Sequence, residues 1–267
     1  MRNNLDTEPN ASDTILRFRR SERTLHWAIA VPVLLCWVTA VVLVLAYNPM
    51  PLRPFRSALS WAHRIGGVAL IMLPPLAVIH SHRDVRTHFA NIRQAWVWTL
   101  SDVRWLMRMA LAALFRGIQL PEQGKFNAAE KLNFMLVMTT YPLYIVTGLL
   151  MWFTNANWAA WLLHAAMALL ATPFILGHLY MATLNRETRV GIQGMISGYV
   201  DRTWAKHHYA RWYREQEQRT SNRTESIAVE STLTPQTPHT TADASEDEHP
   251  VGQGWRTGTE FPPVRPF

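Results

Sequence analysis

The sequence is nearly without cysteine, and it has no acidic residue in any of its long apolar blocks. The single Cys36 excludes an internal disulfide, a CxxC zinc or redox pair and a Cys-x-x-Cys-His site for covalent haem. The lack of Asp and Glu in those blocks argues against carboxylate-rich zinc, manganese or iron sites, and against the acidic pairs of an ion-coupled transporter. Gly191, Gly194 and Gly198 are too loosely spaced for a dinucleotide-binding loop, and no internal repeat stands out. Histidine is left as the plentiful soft ligand.

What the chain does have is segregation. Its mean hydropathy of -0.04 averages four apolar blocks with long basic and polar stretches. The net charge of +7 and the isoelectric point near 10.0 would suit nucleic acid. In a chain with such blocks, however, Arg and Lys belong first to cytoplasmic loops, so nucleic acid is not expected as a partner and membrane lipid is.

The blocks predict spans at about 24–46, 61–80, 132–153 and 158–184, each long enough for a bilayer core. Arg17, Arg19 and Arg20 before the first block resemble a signal peptide's basic start. The block is longer than a signal's apolar region and lacks a clear A-x-A cleavage site, so it reads as a retained helix. Pro32, Pro74, Pro75, Pro142 and Pro173 fall inside blocks, which packed membrane helices tolerate. Basic residues gather before span one, in the 81–131 loop and after span four, whereas the other side has Arg53 and Arg56. The positive-inside rule then puts both termini and the long loop in the cytoplasm. Val85–Leu100 and Val103–Phe115 have apolar residues at helical spacing but are too short or too charged to span, the pattern of interfacial helices.

The expected fold is all-α and integral to the membrane: a four-transmembrane-helix bundle with cytoplasmic interfacial helices and a disordered C-terminal tail. Its parts are a cytoplasmic segment at 1–22, the membrane domain at 23–215 and a tail at 216–267 rich in Ser, Thr, Glu and Pro.

Ionisable side chains inside spans are costly and point to function. His164 and His178 lie fourteen residues apart in span four, which on a helix is about 21 Å of rise and close to whole turns. They share a face near opposite membrane surfaces. With the predicted orientation, His26 at the start of span one is level with His178, and His63 at the start of span two is level with His164. A lone intramembrane histidine is more often a hydrogen-bonded structural residue. Two pairs at matched depths are what two haems need, since each iron takes one axial ligand from either face. Gly66, Gly67, Ala165, Ala166 and Gly177 beside the ligands leave room for a flat macrocycle. Arg23, Arg53, Arg56 and Arg64 are read as loop cations rather than propionate partners. His80, His82 and His88 read as a solvated loop, and WAKHHYARWY, with His207 and His208, as a surface for membrane or partner.

The segments ERTLHW (22–27), WAHRIGG (61–67), GKFNAAEK (124–131), LLHAA (162–166), GHLYMA (177–182) and GMISGYVDRTWAKHHYARWYRE (194–215) resemble the cytochrome b556, or gamma, subunit of membrane-bound formate dehydrogenases, a prokaryotic di-haem cytochrome b561-like family. The resemblance covers all four spans and the tract after span four. It implies two b haems, His63 with His164 on the external side and His26 with His178 on the cytoplasmic side. It further implies electrons delivered by an iron-sulfur (beta) subunit, itself served by a molybdenum or tungsten catalytic (alpha) subunit. The acceptor is a quinone, menaquinone or ubiquinone, on the cytoplasmic side, and the matching quinone residue is Asn127. Its amide would donate to a quinone carbonyl, although an Asn at this position also suits a helix cap. This chain departs from the family in having Ala129 and Glu130 where Gly-Gln is common, and in a longer loop before Ser101. A rival expectation is the cytochrome subunit of a hydrogenase or thiosulfate reductase; another is a haem-free anchor.

Overall fold

The computed structural model describes residues 13–47, 54–112, 114–115, 117–154 and 157–233. The chain divides into a compact unit through Ser221 and a second unit from Asn222. The first holds the four long apolar helices and all the paired histidines.

Four helices are long and apolar enough to cross a membrane. They are α1 (Arg20–Tyr47), α2 (Arg56–His80), α5 (Ala128–Phe153) and α6 (Trp158–Leu179), the last continued by a π-helical turn at Tyr180–Leu184. All five predicted prolines lie inside them. Leu45, Ile65 and Leu169 are 78%, 60% and 76% exposed, a surface that only hydrocarbon would solvate well. The protein is therefore an integral membrane helical bundle, as its hydropathy pattern predicts.

Polar bonds join the bundle internally. Trp37 Nε1 on α1 donates to Thr172 Oγ1 on α6 at 3.0 Å, and Tyr141 Oη on α5 donates to the Leu70 carbonyl on α2 at 2.8 Å. Gly66 lets α1 and α2 approach: a Cβ there would lie 2.7 Å from Cys36 Sγ. Gly66 thus serves helix packing, whereas Gly67 and Gly177 face open space, as a macrocycle requires.

The predicted interfacial helices appear as α3 (Val85–Trp96) and α4 (Leu100–Ala112). α4 starts earlier than the hydropathy suggests because Asp102 accepts from both Thr99 N and Thr99 Oγ1 at 2.8 Å, which caps the first turn. On its inner side, Lys131 Nζ of α5 donates to both Asp102 oxygens at 3.0 Å and to the Val97 carbonyl at 2.9 Å. Burial pushes the Asp102 carboxyl up, but the bonds from Lys131 and Thr99 outweigh it and hold it below the usual range.

After α6 come α7 (Gly191–Ile196), β2 (Tyr199–Asp201), α8 (Arg202–His208) and α9 (Ala210–Leu233). β2 pairs antiparallel with β1 (Thr14–Leu16), placing Ile15 opposite Val200. This ladder seeds a small core of Val200, Ala205, Tyr209, Trp212 and Tyr213, with Ile15 and Trp204 against it. The aromatic tract expected at a membrane or partner surface therefore turns inward, because the N-terminal strand supplies the apolar cover. Helix α9 also runs past residue 216, where composition predicted an unfolded tail. Its first turns are fixed by Trp212 and Tyr213, and Glu215 and Arg219 stand four apart along it. The rest of the expected tail, 234–267, lies outside the described residues, as do Arg53, His239 and His249.

Candidate functional site

We call the end where α1 begins proximal and the opposite end distal. At the distal end the His63 and His164 rings face each other with centroids 6.2 Å apart; at the proximal end His26 and His178 do so at 6.3 Å. Both predicted pairs are brought together, His63 from α2, His26 from α1, and both partners from one face of α6. Metal–imidazole bonds of about 2 Å, with about 1.2 Å from each nitrogen to its ring centre, put two axial imidazoles roughly 6.4 Å apart across one iron. The residues fit a haem at each end.

The distal pair carries a feature that the sequence reading missed. His63 Nδ1 lies 3.0 Å from the Cys36 carbonyl and 3.1 Å from Thr39 Oγ1. His164 Nδ1 lies 2.8 Å from Thr147 Oγ1. Thr39 and Thr147 are buried polar groups. Thr147 in an apolar span was a visible signal, but nothing local tied Thr39 to a histidine on another helix. Gly148 is also close, since a Cβ there would stand 3.6 Å from His164 Cε1.

Around the proximal pair, Trp27 meets His26 edge-on at 5.3 Å and donates from Nε1 to the Met195 carbonyl at 3.0 Å. An open cavity of about 420 Å³ lies against this tryptophan, lined by Arg20, Arg23, Thr24, Trp27, Met195 and Ile196. Arg23 donates to the Ile196 carbonyl. The π-helical turn begins two residues after His178; such turns often mark functional positions.

Asn127 caps α5. Its Oδ1 accepts from Glu130 N at 2.9 Å, while Glu130 Oε2 accepts from Asn127 N at 2.8 Å, a complete capping box. Glu130 Oε1 also accepts from Tyr209 Oη at 2.7 Å, with Arg17 3.8 Å away and its guanidinium 3.6 Å over the Tyr209 ring. Burial and the Glu130 charge push the Tyr209 phenol well above its usual range, so it stays a donor.

Beside this corner is a buried network. Lys125 Nζ donates to Glu22 Oε1 at 2.5 Å and to Asn91 Oδ1 at 2.9 Å, and Arg19 N donates to Glu22 Oε2 at 2.8 Å. Burial lowers the Lys125 amine below the usual lysine range while the Glu22 carboxylate opposes that shift. These partners come from three separate segments, which spacing alone could not associate. Arg64, weighed earlier as a loop cation, lies over Trp61 and Trp152 at 5.2 and 5.5 Å. His88 Nε2 shares a hydrogen bond with Ser81 Oγ at 3.1 Å, and His208 stacks on Trp204 at 4.8 Å. Among the described residues no three His, Cys, Asp or Glu side chains form a metal cluster.

Known proteins resemble this chain over most of its length. The cytochrome b556(Fdn) subunit of the nitrate-inducible formate dehydrogenase of Escherichia coli is 26% identical over 216 residues, covering 76% of this chain and 92% of its own length. The cytochrome b556 subunit of formate dehydrogenase from Haemophilus influenzae is 27% identical over 222 residues, with 77% and 85% covered. The cytochrome b556(fdo) subunit of an Escherichia coli formate dehydrogenase is 27% identical over 227 residues, with 80% and 98% covered. The family profile described as prokaryotic cytochrome b561 matches residues 17–198, a stretch that contains all four paired histidines and every membrane helix. On that match, this chain belongs to the prokaryotic cytochrome b561 family.

Proposed function

We propose that the protein is the membrane cytochrome b subunit of a formate dehydrogenase complex, passing electrons from a periplasmic iron-sulfur subunit through two b haems to quinone at the cytoplasmic side. The observation that carries this reading is the presence of two facing histidine pairs, 6.2 and 6.3 Å apart, at opposite ends of one bundle. The names of relatives that align over most of this chain support the formate dehydrogenase assignment.

His63 and His164 are the proposed axial ligands at the distal, external end, and His26 and His178 those at the proximal, cytoplasmic end. A haem bound at each site supplies one-electron chemistry. The protein's part is to hold the rings, exclude water with the packed spans and bias each site by its neighbours. The distribution of basic residues supports a cytoplasmic proximal end in a bacterial inner membrane, with both termini inside. The iron-sulfur subunit, and through it a molybdenum or tungsten subunit, docks at the distal end. Quinone, whether menaquinone or ubiquinone, approaches the proximal end, where Asn127, Glu130 and Tyr209 form one hydrogen-bonded corner. Asn127 binds the quinone through its amide while its oxygen caps α5. The domain division is a segment at 1–22, a di-haem domain at 23–215 and a cytoplasmic extension at 216–267, helical through Leu233.

The test is made on membranes containing the intact complex. Formate should reduce the b-type absorption and a soluble quinone analogue should reoxidise it. Reduction by another donor but not by formate would contradict the assignment.

Asn127→Ser separates the cap from the quinone contact. Serine caps a helix about as well as asparagine but lacks the amide donor. A lost hydrogen bond of about 1–1.5 kcal/mol predicts a KM for quinone roughly tenfold higher, with the melting midpoint little changed. An unaltered KM would leave Asn127 as a cap alone.

A further inference from the structure

Threonines within apolar helices ordinarily return their hydroxyl proton to the carbonyl one turn back. Thr140, Thr172 and Thr183 do so here, at 2.8, 2.7 and 2.6 Å. Thr39 and Thr147 do the same, donating to the Leu35 carbonyl at 2.7 Å and the Leu143 carbonyl at 2.6 Å. With the proton committed, each oxygen offers only lone pairs to any further partner. Thr172 shows the consequence within this protein: its oxygen accepts from Trp37 Nε1, an N–H that can only donate.

For Thr39 and Thr147 that further partner is a histidine Nδ1. On the His63 side the assignment is fixed independently, because Nδ1 also lies 3.0 Å from the Cys36 carbonyl, and a carbonyl oxygen can only accept. His63 therefore carries its proton on Nδ1. On the His164 side, the short bond from Thr147 to Leu143 leaves the threonine oxygen as acceptor at 2.8 Å, so His164 carries its proton on Nδ1 as well. Both rings of the distal pair then present an unprotonated Nε2. By contrast, neither the His26 ring nor the His178 ring makes a hydrogen bond to another of the described residues.

We propose that Thr39 and Thr147 are positioning residues of the distal site, which lock His63 and His164 in the Nδ1–H tautomer and strengthen Nε2 of each as an electron donor to iron. The inference rests on the di-haem reading above and adds a tuning device to one of its two sites. An N–H that donates to an acceptor leaves more negative charge on the ring, and ligand basicity rises. A stronger donor favours the more positively charged, oxidised iron. The two threonines thus hold the distal midpoint potential below the value that unassisted imidazoles would give. This suits a site that receives electrons and hands them on.

The test is a potentiometric titration of the b-type absorption in the intact complex, comparing wild type with Thr147→Val, Thr147→Ser and Thr39→Val. Valine keeps the shape and removes the acceptor. Thr147→Val should shift the oxidised-to-reduced equilibrium of one haem about tenfold toward reduction, about 59 mV upward for a one-electron couple, with the other haem unmoved. Thr147→Ser, which keeps the hydroxyl, should stay near wild type. Thr39→Val should move the same haem in the same direction by less, since the Cys36 carbonyl remains. If Thr147→Val loses that haem outright while Thr147→Ser keeps it, the positioning role stands. Unchanged midpoints in Thr147→Val, or an equal shift of both haems, overturns the inference. A wild-type chain without two b haems would instead overturn the functional reading on which it rests.

Discussion

His63→Ala should reduce the haem content of the purified complex from two per chain to one, with the remaining haem keeping its wild-type spectrum and potential. On the proposed ligation, the variant removes one axial nitrogen of the distal pair and leaves His164 facing a gap, held from behind by Thr147 at 2.8 Å. A single imidazole cannot supply both faces of the iron. The proximal pair is built from α1 and α6 and shares no ring with His63, so it should load normally. Changes to outer partners of metal ligands already cost about 10–100-fold, so loss of the ligand itself should lower formate-driven quinone reduction by more than about 100-fold. Haem extraction and the reduced spectrum check this directly. Retention of two haems would show that the distal pairing is not ligation.

Lys131→Met should produce the largest loss of stability outside the histidine sites. Lys131 and Asp102 are buried, with side chains 8% and 2% exposed, and the ammonium makes three hydrogen bonds. Removing one partner of a buried pair leaves an uncompensated charge, which costs about 3–5 kcal/mol. The melting midpoint of the haem-loaded complex in detergent should fall accordingly. Replacing both residues, with Asp102→Leu added, should recover most of the loss, but not the cap that Asp102 gives α4. The same pair sets an acid limit. Because the Asp102 carboxyl is held below its ordinary value of 3.8, the bridge contributes fully above that pH. The contribution is lost as pH falls from there through the lowered native value. Lys131→Met should lack this part of the acid sensitivity. A variant that melts with the wild type at every pH would contradict the buried-pair account.

Four spans, two interfacial helices and both histidine pairs were legible in the sequence because each rests on a local property. Hydropathy marks a span, and the fourteen residues from His164 to His178 fix a shared helix face. Orientation then made the partners' depths a matter of arithmetic. Asn127 was legible as a cap for the same reason, since its partner Glu130 is three residues away.

What sequence could not show depends on meetings between distant segments. The β1–β2 ladder joins two strands of three residues each across the whole membrane domain, too short to register as strands. Without that ladder, Tyr209, Trp212 and Tyr213 look like surface aromatics. Glu22, Asn91 and Lys125 read as loop charges until the fold brings them within hydrogen-bond distance. Gly66 looked like space for a macrocycle, but only the position of Cys36 reveals it as the point where two helices touch. Thr147 shows in the sequence only as a hydroxyl within an apolar span and Thr39 shows less, because the role of each follows from which nitrogen of a distant ring it faces.

The most direct test of the central claim is the haem content and ligation of the wild-type protein, measured by extracted haem per chain together with low-temperature electron paramagnetic resonance. The paired rings predict two haems b per chain, both low-spin with two imidazole ligands. One haem, none, or a high-spin five-coordinate signal from the native protein would contradict the account.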